Sequence, residues 1–119
     1  MTILIIDDDA SIRELLVEVL EEEGYPVQSA SNGEEALSIL RALPKLPKLI
    51  LLDLMMPVMD GWAFRQEQLQ DPLLMGIPVV VLSAAYELHR QAAHIKAVSY
   101  LEKPVGIAKL LTTVARHYT

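Results

Sequence analysis

Six side chains stand where an apolar run stops. Asp7, Asp8 and Asp9 follow Ile3-Leu4-Ile5-Ile6, Asp53 follows Leu49-Ile50-Leu51-Leu52, Ser83 follows Pro78-Val79-Val80-Val81-Leu82, and Lys103 lies just past Val98 to Leu101. A continuous apolar run of this kind reads as a strand buried on both faces. An unpaired carboxylate is not buried with it, so these polar residues must emerge at the rim of a sheet. Carboxylates gathered at one rim repel: two unit charges about 5 Å apart at an effective dielectric of about 20 cost roughly 3 kcal/mol. Protonation or a cation must relieve that repulsion. A hard divalent ion such as Mg2+ (or Mn2+) suits carboxylate and carbonyl oxygens. The chain has no cysteine, and its three histidines are not paired at ligand spacing, so the softer donors zinc prefers are missing. A carboxylate beside such an ion is also a nucleophile toward phosphorus, giving an aspartyl phosphate. Lys103 could then supply positive charge, and Ser83 a hydroxyl donor, to the transferred group.

Alternating elements must carry these residues. Ile12, Leu15, Leu16, Val19 and Leu20 recur at helical spacing after the first strand, and Gly24 stands where a left-handed residue would close that helix. Val27 to Ala30 reads as a second strand. Ser31 and Asn32 precede Glu34 and Glu35 in two overlapping capping patterns for a helix holding Ala36, Leu37 and Leu40. Asp9 reads as the N-cap of the first helix, and Asp60 as a turn and capping residue. A helix with Trp62 and Leu69 as its apolar residues follows Gly61 and ends by Pro72. A weaker, more polar helix is expected from about Tyr86 to Ile95, and a last amphipathic one carries Ile107, Leu110, Leu111, Val114 and Ala115. Five strands alternating with five helices predict an α/β fold, a parallel sheet covered on both faces. In such a sheet ligands sit at the carboxyl ends of strands, which is where the six polar residues stand.

The totals narrow the class. A length of 119 residues predicts one domain over 1–119 with no output domain attached. The formal net charge of −6, with ten scattered basic residues, argues against direct contact with nucleic acid. No apolar run is long enough to span a bilayer, and no secretory leader opens the chain, so a cytoplasmic protein is expected.

The segments "ILIIDDD", "SNGEEAL", "LILLDLMMPVMDGW", "IPVVVLSA" and "YLEKP", in this order and spacing, resemble those of bacterial response-regulator receiver domains over essentially the whole chain. The resemblance implies a flavodoxin-like (βα)5 three-layer sandwich with strand order 2-1-3-4-5. It also implies a switch of a two-component or phosphorelay system that accepts a phosphoryl group from a histidine kinase or histidine phosphotransfer protein. Asp53 aligns with the phosphoacceptor, and Asp7 and Asp8 with the acidic pair that holds magnesium, Asp8 directly and Asp7 through water. The backbone carbonyl of Met55 would add a further metal oxygen. Ser83 aligns with the hydroxyl residue that moves toward the phosphate, Lys103 with the lysine that meets it, and Tyr100 with the aromatic switch. The output would be a changed surface of the fourth helix, fifth strand and fifth helix, acting on a partner or forming a homodimer. Such a domain catalyses its own phosphotransfer and slow dephosphorylation and does not turn over a free substrate.

The sequence departs from the family in places. Lys96-Ala97 replaces the usual Gly-Ala, and a lysine disfavours a left-handed helix stop by roughly 1 kcal/mol. Val105 stands where a Phe is common, and the Lys103-Pro104 bond is expected to be cis. Met55 and Ala85 occupy positions where relatives often carry polar side chains that steer water, which predicts slow self-dephosphorylation. Asp7-Asp8-Asp9 also contains the Asp-x-Asp of haloacid-dehalogenase-like phosphatases, but a cap domain does not fit this length. A flavodoxin-like electron carrier lacks support because no Ser/Thr/Gly-rich phosphate loop follows the first strand. A degenerate receiver that only binds partners would not need all five site residues.

Overall fold

The computed structural model describes residues 2–56, 58–83 and 95–118. Five strands, β1 (Ile3–Ile6), β2 (Val27–Ala30), β3 (Leu49–Asp53), β4 (Val79–Ser83) and β5 (Ser99–Glu102), pair in parallel in the order β2-β1-β3-β4-β5. Among the described residues there are four helices, α1 (Ala10–Glu22), α2 (Gly33–Ala42), α3 (Gly61–Gln70) and α4 (Ile107–His117). The helix expected over 86–95 lies outside the described residues except for Ile95, which is helical and buried.

Period-two alternation divides the strand side chains between two cores. Leu4, Ile6, Ile50, Leu52, Val79 and Val81 meet α2 and α3 on one face. Ile3, Ile5, Leu49, Leu51, Val80 and Leu82 meet α1 and α4 on the other. β1, β3 and β4 are buried at every position, which is why their sequence is apolar without interruption. The result is the expected three-layer sandwich.

Helix starts follow their caps. Asp9 caps α1, its Oδ1 accepting from the amides of Ser11 (2.9 Å) and Ile12 (3.3 Å). Asn32, not Ser31, caps α2 by accepting from Glu35 N, while the Ser31 hydroxyl donates to the Glu35 carboxylate at 2.8 Å. Asp60 caps α3 through Ala63 N. Gly24 has φ +92° just past α1, as its left-handed stop requires.

Apolar spacing does not give the buried face of α3. Trp62, at the helix start, and Leu69 are half-buried, and the helix buries Gly61, Phe64, Arg65 and Gln68. Two long polar side chains occupy positions where apolar ones would be expected, and each is satisfied. Arg65 donates from Nε to Ile95 O (2.9 Å), from Nη2 to Lys96 O (2.8 Å) and from Nη1 to Gln68 Oε1 (2.7 Å). Gln68 Nε2 donates to Leu74 O and Ile77 O. A buried polar group is tolerable only when paired in this way. Lys96 does adopt the left-handed conformation, at φ +55°.

Candidate functional site

Each candidate residue reaches the carboxyl rim by a different local device. The ladder of β1 continues one step past Ile6, where Asp7 N donates to Ala30 O (3.1 Å). Asp9 N then turns back to Asp7 Oδ1 at 2.9 Å, and α1 begins. The triple aspartate is thereby divided: Asp7 is fully buried, Asp8 is exposed, and Asp9 is spent as a cap. Arg13, one turn into α1, donates from Nη1 to the Asp7 carbonyl at 2.8 Å. Helical spacing turned Arg13 outward. Its place one turn after an acidic run was the one available signal of this contact.

Asp53 is the last residue of β3, opposite Leu82 of β4, so Ser83 ends β4 one step further along the same rim. Both are buried. Past β5, Lys103 N donates to Ser83 O at 2.8 Å, and the Lys103–Pro104 peptide is cis as expected. The loop from β3 to α3 is held by Gly61 N bonding Leu54 O (2.9 Å) and by Gly33 N bonding Met59 O (3.1 Å). Within it Val58 has φ +67°, a conformation that costs an L-residue about 1–2 kcal/mol.

Lys103 closes the constellation. Its Nζ lies 3.0 Å from Asp7 Oδ2 and 3.1 Å from Asp53 Oδ1. Asp7, Asp8 and Asp53 each bring a carboxylate oxygen within 4.8 Å of the others. Three carboxylates outnumber the Lys103 ammonium and the Arg13 guanidinium held on the Asp7 carbonyl, so the rim keeps an excess of negative charge. Burial is the main cause that pushes the Asp53 carboxyl up to about 6 from 3.8; the charge of Asp7 adds to it and Lys103 opposes it. Burial pulls Lys103 down, but its hydrogen bond to Asp7 and the charges of Asp53 and Asp7 outweigh this and hold the ammonium above its usual range. All the candidate donors are hard oxygens at a rim with excess negative charge, so the residues fit a divalent ion such as Mg2+.

Among the described residues, the side chains of Tyr100 and Met55 are not members of this cluster. Tyr100 lies on β5 opposite Val81, half-buried, packed against the core that also holds Ile95 and Ala97. The Met55 side chain is 61% exposed. Ala85 lies outside the described residues. Of the sequence-identified residues, the structure brings Asp7, Asp8, Asp53 and Lys103 into one cluster and Ser83 to the same rim.

Comparison with known proteins agrees with this geometry. Residues 3–115 match the family described as "Response regulator receiver domain". The chain is 40% identical over 119 residues to an "Uncharacterized 14.6 kDa protein in sodA1 3'region" of Leptolyngbya boryana, covering 98% of this chain and 89% of that one. It is 38% identical over 114 residues to the DNA-binding dual master transcriptional regulator RpaA of Synechocystis sp., covering 94% of this chain but 46% of that protein. It therefore spans less than half the length of that longer regulator. Among solved structures, the signal receiver domain of a signal transduction histidine kinase from Syntrophus aciditrophicus superposes with a TM-score of 0.88 at 32% identity, covering 98% of this chain and 89% of that one.

Proposed function

Because the chain belongs to the response regulator receiver domain family, we propose that it is a phosphorylation-controlled switch with Asp53 as its phosphoacceptor. The observation that carries this reading is the Lys103 ammonium bridging Asp7 and Asp53 at a rim where carboxylates outnumber cations.

Lys103 engages Asp53 Oδ1, which orients the carboxylate and leaves Oδ2 as the attacking oxygen. Attack in line forms the O–P bond, and the P–N bond of a donor phosphohistidine breaks with its electron pair returning to the imidazole. Asp7, Asp8, Asp53 and the Met55 carbonyl would hold Mg2+, which when bound neutralises charge on the phosphoryl oxygens. Lys103 then meets one phosphoryl oxygen as a compact ammonium, and Ser83 donates its hydroxyl to another. The new group adds nearly two negative charges at this buried rim. Tyr100 answers by turning its side chain inward, which alters the surface around β5 and α4 toward an output partner or a second copy. The donor is a histidine kinase or phosphotransfer protein. The apolar strip of Ile12, Leu15, Leu16, Pro104 and Val105 beside Lys103 is a face such a donor could use. No described helix is long and apolar enough to cross a membrane, and we place this signalling in the cytoplasm.

The test is incubation with a small phosphodonor and Mg2+, followed by mass analysis and peptide mapping. One phosphoryl group per chain, located on Asp53 and not taken up when Mg2+ is chelated beforehand, is the expected result. A label that survives Asp53→Asn overturns the reading.

Lifetime provides a second measurement. Met55 follows Asp53 by two residues, is 61% exposed and has no side-chain N–H or O–H with which to hold a water, and we extend the same reading to Ala85 from its type alone. Making both positions polar is expected to speed loss of the phosphoryl group about tenfold, equivalent to roughly 1.4 kcal/mol of barrier. An unchanged decay rate removes both residues from this role.

A further inference from the structure

We propose that Arg65 is a positioning residue that clamps the Ile95–Lys96 segment in the unphosphorylated arrangement and so governs how readily Tyr100 turns inward. The inference rests on the phosphoacceptor reading above for its link to switching, and on the structure alone for the clamp.

Arg65 presents a planar fork with five N–H donors in fixed geometry. Two arms of that fork take consecutive backbone carbonyls, Ile95 O and Lys96 O, at a helix end, where carbonyls lack partners and carry partial negative charge. The third is taken by the Gln68 amide, which is itself tied to Leu74 O and Ile77 O in the loop leading into β4. The guanidinium is thus anchored on the α3–β4 side of the molecule and reaches across to the segment entering β5. Among the described residues no carboxylate neutralises it. Burial disfavours its charge, and Tyr100 is the titratable group close enough to oppose that effect. Arg65 therefore grips the chain four residues before Tyr100.

Lys96 gives the clamp its energetic purpose. At φ +55° a lysine is held where glycine rests without strain. The hydrogen bond from Arg65 Nη2 to the carbonyl of that same residue stabilises the conformation the side chain disfavours. An arrangement kept by one clamp against local strain is easily released, which is the property a bistable element needs.

The test measures amide hydrogen exchange and phosphoryl uptake in Arg65→Leu, Arg65→Lys, Lys96→Gly and Arg65→Leu/Lys96→Gly. Because Arg65→Leu leaves Ile95 O, Lys96 O and Gln68 Oε1 without this donor, its denaturant unfolding is measured beside the exchange, and protection of β1 and β3 serves as the folding control. In Arg65→Leu the amides of Ala97, Val98 and Ser99 are expected to exchange at least about tenfold faster while those of β1 and β3 are unchanged. Arg65→Lys should not rescue, because one ammonium cannot span both carbonyls in a fixed fork. Lys96→Gly in the Arg65→Leu background should recover most of the protection, since glycine takes positive φ unaided. Phosphoryl uptake from a small donor should be several-fold faster in Arg65→Leu than in the wild type. Unchanged local exchange, loss spread evenly over all strands, or no recovery with Lys96→Gly overturns the clamp. Altered exchange with unaltered uptake overturns its control of switching. A wild type that takes no label overturns the phosphoacceptor reading instead, and the exchange results still decide the clamp.

Discussion

In chelator at neutral pH, Asp53→Asn is expected to melt roughly 10 °C above the wild type, a gain of up to about 3 kcal/mol. Asp53 has a folded-state pKa of about 6 against 3.8 for the ordinary carboxyl. Between those values the folded chain keeps a proton that the unfolded chain has released. The contribution of this group is therefore fully present below about 3.8 and is lost as pH rises through about 6. Above that range the folded protein carries a buried charge held mainly against desolvation and against Asp7. Asparagine matches the shape, still accepts from Lys103, and leaves the Lys103–Asp7 pair in place. Thermal melts of both proteins across the acid range should diverge as pH rises, with the difference saturating above about 6. Mg2+ should then narrow the gap, because a ligand that binds only the folded wild type stabilises it by mass action. Parallel pH curves for the two proteins would exclude this account of the buried carboxylate.

The second large effect concerns Gly61. A Cβ at this position would sit 2.7 Å from Asp53 O and 2.7 Å from Leu54 Cα, both main-chain atoms that cannot swing aside. Gly61→Ala is expected to cost roughly 2–4 kcal/mol in denaturant unfolding, the upper range for forced overpacking. It should also slow phosphoryl uptake, because the strand end that moves is the one carrying the acceptor. At Gly33 the nearest obstruction is the flexible Met59 side chain, at 2.8 Å, so Gly33→Ala should be milder. Equal losses at the two glycines would show that the close approach at Gly61 is not what limits it.

The site was more legible in the sequence than one of the helices that frames it. β1, β3 and β4 announced themselves because burial on both faces leaves no room for polar interruption, and the residues that end the apolar runs are those at the rim. The caps Asp9, Asn32 and Asp60 were readable because a side chain that bonds its own helix start acts locally. The separate fates of Asp7, Asp8 and Asp9 were less visible, since burial depends on the turn that follows β1. The buried face of α3 was not legible because apolar periodicity carries no sign of a buried arginine satisfied by carbonyls 30 and 31 residues away, or of a glutamine satisfied by carbonyls 6 and 9 residues away. Lys96 was marked as a departure from glycine, but its solution lies on another helix, in Arg65, and no local pattern links the two.

The ion pairs of Lys103 join residues 96 and 50 positions apart along the chain. Parallel strands need long crossovers, so contacts of this range form late and slowly compared with helical ones. During synthesis the acids of β1 and β3 emerge well before their counter-charge, and a chain halted ahead of Lys103 holds the carboxylates without the ammonium that orients them. On the proposed reading of Asp53 and Lys103, competence to take a phosphoryl group would coincide with completion of the sheet, and unfinished chains would not draw on the donor.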